Sequence, residues 1–225
     1  MRRRAVAGLG ETSLALMAVY GLKSAWNWPP AAALRAGAVT PAAELARLRD
    51  EFQQIAADGA ALAASLDEAQ FAWKPTEDAW SVGECLSHLN VTARLSLPKL
   101  DYAIAEGIRD EVYGHGPFRY GWMDRLTVRI TEPPSRWHVW SPMALLPIAG
   151  ESRDEIVSTF QAFQDQFADR LRRADGLDLA RVRVTSPVAQ WRRFSLGAAF
   201  AVIAAHERRH LAQAHRVMAR PQFPR

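Results

Sequence analysis

The sequence is poor in cysteine, lysine and long apolar runs. Cys85 is the one cysteine in 225 residues, so an internal disulfide scaffold is excluded. A single thiol agrees with a reducing cytoplasm, the compartment expected here. No stretch approaches the roughly 18 consecutive apolar residues of a conventional membrane span. Lysine occurs only at 23, 74 and 99 among abundant arginines, which reads as coding bias. Acids are scarce at one end: residues 181–225 hold nine arginines and only Glu207, a net +8. The whole chain is +4, so the first 180 residues are 4 − 8 = −4. A basic tail could meet nucleic acid, but no recognition motif or stacking array accompanies it, and no nucleic-acid partner is expected.

What is present is an ordinary globular composition, 49% hydrophobic and 23% charged, which excludes a mostly disordered chain. Residues 1–40 read as a loosely ordered or targeting-like extension. Arg2–Arg4, the apolar run 14–22 and Ala31–Ala33 outline a weak signal peptide. Glu11, Thr12 and Ser13 interrupt it, which favours an extension. Pro29-Pro30 and Gly37 then mark a linker before a domain over 41–225.

Four long helices are expected. Thr40-Pro41 starts the first, and Leu45, Leu48, Phe52, Ile55, Gly59, Leu62 and Leu66 recur in steps of three and four. Ser81 to Glu84 has the form of a capping box, opening a second helix to about Glu106 with a kink at Pro98. A Trp80–Cys85 staple would close that cap. Residues 107–151 break the pattern, with a short helix within 121–131. Ser152 to Glu155 opens a third long helix, stopped by Gly176. Ser195 caps the last. No strand pair with hairpin signals is seen. The fold expected is all-α: a four-helix bundle with a long crossover between the second and third helices.

The last helix begins apolar at Leu196, Ala199, Phe200 and Ile203, then places His206, His210 and Gln213 on the same face. Histidines four apart stack on one side of a helix and can reach one divalent ion. Gln213 could hold a ligand's second nitrogen. The string His206-Glu207-x-x-His210 also matches a zinc-peptidase motif, in which the glutamate is a base. A third ligand normally follows downstream, and the 15 residues after His210 offer no acid and only a misplaced His215. His88, one turn beyond Cys85, is the better third donor. Glu84 reads as a cap and Cys85 as a small buried side chain. Glu207 reads as solvated, Arg208 and Arg209 as an exposed pair, and His215 as a surface residue. His115 and His138 are loop histidines.

Phe71-Ala72-Trp73-Lys74-Pro75, then Trp80-Ser81 through Glu84 to His88-Leu89, then His206-x-x-x-His210-x-x-Gln213 together resemble the DinB-like superfamily of metal-binding four-helix bundles. The resemblance covers about residues 42–219. It implies a divalent ion, zinc or nickel, on His88, His206 and His210. Some members of the wider family resemble thiol transferases or isomerases using low-molecular-weight thiols, while others have no assigned reaction. The resemblance does not choose among these; the function expected is a metal-dependent enzyme on a small molecule, a thiol S-transferase or a hydrolase. The alternative is a metal-stabilised helical module without turnover. A homodimer is compatible with either.

Overall fold

The computed structural model describes residues 41–134 and 145–225. The extension over 1–40, the Thr40 cap and His138 lie outside the described residues. Four long helices carry the fold: α1 (Pro41–Ala64), α3 (Val82–Arg109), α5 (Arg153–Arg173) and α6 (Leu196–Met218). Two short helices, α2 (Glu68–Ala72) and α4 (Trp122–Thr131), lie between them. The second of these is the short crossover helix the sequence suggests.

The capping boxes explain where two helices start. Ser81 accepts from the Glu84 amide while Glu84 accepts from the Ser81 amide, and Ser152 and Glu155 repeat the exchange. Each box satisfies two amide donors that the first helical turn leaves without partners. Helix α5 gives way at Gly176, whose φ of +82° suits a residue without a side chain. Helix α3 continues through Pro98 to Arg109, a turn further than the pattern indicates.

Helices α1 and α3 each pack on both α5 and α6, so the ring order is α1–α5–α3–α6. The apolar seam of α1 faces inward, with Leu48, Phe52 and Ile55 essentially inaccessible. Phe52 stacks on Phe167 of α5 at 4.9 Å between ring centroids and meets Phe200 of α6 edge-on at 6.4 Å. Three helices thus share one aromatic cluster.

One expectation is corrected. The connector before α6 contains a small hairpin: β1 (Arg183–Thr185) pairs antiparallel with β2 (Arg193–Ser195), Val184 opposite Phe194. Each strand has three residues, too short for alternation to announce it. The turn is built from Ser186, whose Oγ accepts from the Val188 and Ala189 amides. The hairpin aims α6: the Leu196 and Gly197 amides donate to the Val182 and Leu179 carbonyls. Ser195 occupies the N-cap position, but its hydroxyl donates to Asp124 of α4 at 2.7 Å.

The crossover is fastened at both ends. Before α4, buried Tyr120 donates to Glu44 of α1. A side chain on Gly197 would collide with the Tyr120 hydroxyl, so the first turn of α6 must be bare there. Burial holds the Glu44 carboxyl above its ordinary range. Tyr120→Phe is therefore expected to cost about 1–3 kcal/mol near neutral pH, because Glu44 loses its donor. The cost should shrink toward acid pH, where the carboxyl takes up a proton and needs no donor for a charge. Urea melts at two pH values check both parts.

Beyond α4, Ser87 of α3 ties down the far end of the crossover. Its hydroxyl accepts from the Ile148 amide at 3.0 Å and donates to Glu151 at 2.5 Å. This brings residues 145–151 onto α3 beside His88.

Candidate metal centre

Helices α3 and α6 are neighbours in the ring, and their contact brings His88, His206 and His210 together. His88 lies two turns into α3, where the Ser81 cap fixes the helix start. His206 and His210 share one face of α6 by their four-residue spacing. One ring nitrogen from each lies within 4.8 Å of the other two. The ring centroids are 4.4 Å apart for His88 and His210, 4.6 Å for His206 and His210, and 5.1 Å for His88 and His206.

Hydrogen bonding orients the imidazoles. His88 Nδ1 donates to the Leu145 carbonyl at 2.5 Å, which leaves Nε2 with its lone pair. That Nε2 lies 3.3 Å from His206 Nε2. His210 Nδ1 donates to Gln213 Oε1 at 3.0 Å, again leaving Nε2 as an acceptor. Nitrogens held about 2.0–2.1 Å from a common tetrahedral ion stand about 3.3 Å apart, so the His88–His206 spacing already suits one.

Burial favours the neutral rings. It pulls His88 below its ordinary value and His206 down to about 3, and pulls His210 well below. The neighbouring histidines and Arg209 push His206 and His210 the same way. Three neutral imidazoles with converging lone pairs are donors ready for a cation. They could hold a metal ion, and no thiol or carboxylate joins them within the same span among the described residues.

Trp80, placed before the helix cap, also meets the histidines. Its ring lies against His88 and His210, with centroids 4.8 and 5.6 Å away, and forms a wall of the site. Leu145 closes another side through its carbonyl. The tryptophan's place before the helix cap was visible in sequence, whereas a backbone carbonyl arriving 57 residues downstream was not.

Cys85 is fully buried, and burial pushes its thiol up, so it remains an uncharged packing group. Glu84 serves the cap and an ion pair with Lys74 at 3.0 Å. His115 is exposed. His215 is only partly exposed and meets Asp58 at 3.0 Å.

Two charged residues beside the histidines are not where the sequence reading puts them. Glu207 is buried, not solvated. Its carboxyl accepts from Gln164 of α5 at 3.2 Å, and burial pushes it up to about 8. Arg208 is 2% exposed, not on the surface, and ion-pairs with Glu51 of α1 and Glu132 beyond α4. Helix α6 is covered on several sides by α1, α3 and α4, so polar positions away from the histidine face are also enclosed. The signal was the alanine-rich first half of α6, which carries no polar side of its own. Glu207 is held by α5 through one carboxyl oxygen, and its carboxylate is not among the donors that converge with the histidines.

A family model described as the DinB superfamily matches residues 51–214. The chain matches no curated protein and no solved structure.

Proposed function

Because this chain belongs to the DinB superfamily, and its three inward histidines converge from two helices, we propose that His88, His206 and His210 bind one divalent metal ion. Zinc and nickel, the ions the family resemblance implies, are among those that an all-imidazole donor set suits. We further propose that the protein is a metal-dependent enzyme acting on a small molecule, a thiol S-transferase or a hydrolase. The observation that carries this reading is the number of donors. Structural zinc sites close with four protein ligands, whereas catalytic ones use three and keep a position open. The histidine cluster offers three.

The chemistry such an ion supplies is a lowered pKa for a thiol or water bound beside the histidines. The chain's own residues do the positioning. Leu145 fixes the His88 ring through Nδ1, and Gln213 fixes His210 the same way. Trp80 shields two of the rings from water and gives a substrate an apolar wall. Residues 145–151, held by Ser87, border the site and would help select what enters.

The test is the metal content of full-length protein purified without added metal, beside His88→Ala and His206→Ala. About one ion per chain is expected in the wild type and none in either variant. An absence of bound ion even after zinc or nickel is offered in excess would sink the proposal. Activity screens with thiols and electrophiles follow a positive result. If chelation abolishes the fold and no exogenous thiol perturbs the bound ion's spectrum, the non-catalytic reading replaces the enzymatic one.

Gln213→Leu separates orientation from coordination. It keeps all three imidazoles but removes the acceptor for His210 Nδ1. Metal affinity should fall about 10–100-fold, with the stoichiometry at saturation unchanged. Competition against a chromophoric chelator measures it.

A further inference from the structure

Away from the histidines, α4 packs on α6 through a narrow face, with Asp124 and Val128 buried. Its other side is apolar and exposed. Trp122, Leu126 and Ile130 are spaced four apart, so they form one stripe with Met123 beside it. Arg192 donates to Asp124 at 2.9 Å, which joins the hairpin to the first turn of α4. The hairpin tip adds Val188 and Trp191, and the two tryptophans are 68% and 83% exposed, Trp122 and Trp191 respectively. Large apolar side chains grouped on a surface mark an interaction site more often than scattered ones do.

The charges beside this surface select what covers it. Arg125 and Arg129 are exposed on α4, and Arg119 is exposed just before it. Residues 117–134 contain two acids, both turned inward: Asp124 to Arg192 and Ser195, Glu132 to Arg208. Residues 181–195 contain no acid. The face is therefore apolar with a positive border. A second copy docked through the same face would set arginine against arginine. Residues 1–40 carry five basic residues and one acid, so they are repelled as well. Trp122 and Trp191 stand on separate elements among Leu126, Ile130 and Met123, so the face is mainly aliphatic and not the run of aromatic planes on which successive nucleic-acid bases stack.

An anionic bilayer satisfies both halves of the pattern. Tryptophan and aliphatic side chains enter the boundary between headgroups and acyl chains, and arginines at their flanks meet lipid phosphates. We propose that α4 and the β1–β2 hairpin tip form a peripheral docking surface for anionic membranes. No helix among the described residues is long and apolar enough to cross a bilayer, so this attachment lies on the surface.

Co-sedimentation of the full chain with two kinds of vesicle tests the proposal. One is pure phosphatidylcholine, and the other has one-third phosphatidylglycerol. Binding should require the anionic lipid and weaken with added salt. Because residues 1–40 carry Arg2, Arg3 and Arg4, the deciding comparison is between wild type and variants of the face. Arg125→Gln with Arg129→Gln should weaken binding about tenfold or more. Trp122→Ser with Leu126→Ser and Trp191→Ser should do the same by removing the inserted groups. All five side chains are exposed, and unchanged helical circular dichroism and melting would verify the fold. Vesicle binding equal in wild type and both variants would overturn the proposal. So would equal binding to neutral vesicles. A dimer, or binding to duplex DNA, that these variants abolish while vesicle binding is absent would also overturn it and assign the face to another partner.

Discussion

Arg208→Met should destabilise the protein by about 3–5 kcal/mol at neutral pH, the range for breaking a buried ion pair from one side. Arg208 reaches two carboxylates on different elements, Glu51 of α1 and Glu132 just after α4. Methionine fills similar volume, so the loss measures charge rather than a cavity. Glu51 retains Arg47 as a partner, which places the expected value toward the lower end. Glu132 keeps only a weaker, through-space attraction to Arg47, and burial already raises its carboxyl above the ordinary range. Without Arg208 it should rise further and be protonated more readily in the folded protein. A carboxyl with a raised folded-state pKa favours the native state as pH falls. The gap between wild type and variant should therefore narrow toward pH 5 and widen above pH 7. Denaturant melts across that interval would show it. A pH-independent loss below about 1 kcal/mol would mean the arginine behaves as an ordinary surface charge.

Phe167→Ala should cost about as much, roughly 3–5 kcal/mol, by a different route. Its ring is inaccessible to solvent and stacks on Phe52, which meets Phe200. Removing it empties space at the meeting of α1, α5 and α6, and long helices joined through several layers relax poorly into one vacancy. The loss should be largely independent of pH, which distinguishes it from Arg208→Met. If the metal proposal holds, saturating zinc should recover part of the lost stability through binding to the folded form. It should recover none in a background that also carries His206→Ala. Thermal melts with and without zinc make that comparison.

Both substitutions sit where sequence reading and structure stand in different relations. Phe167 belongs to the stripe Ile156, Phe160, Phe163, Phe167 and Leu171, and its inward direction follows from helical spacing alone. Four of these are buried and Phe163 packs against the core from its edge. Arg208 offered no such signal. Its burial depends on Glu51 and Glu132, 157 and 76 residues away, meeting at one place. Charge patterns report pairs three or four residues apart on one helix and are silent about such distant meetings.

The histidines divide in the same way. The spacing of His206 and His210 determined by itself that they share a face, and Gln213 follows on that face within one turn. The Ser81–Glu84 cap likewise determined where the helix bearing His88 begins. These are properties of backbone periodicity and of amides that must find acceptors within a few residues. Tertiary structure decided that α3 lies beside α6, so that His88 Nε2 meets His206 Nε2. It also decided that Leu145 supplies the acceptor for His88, that Trp80 covers the rings, and that Glu207 turns to α5. Local sequence determines which side chains share a face because helix geometry is fixed by short-range hydrogen bonds. Which faces meet is a property of the whole core, set by burial summed over all the helices at once.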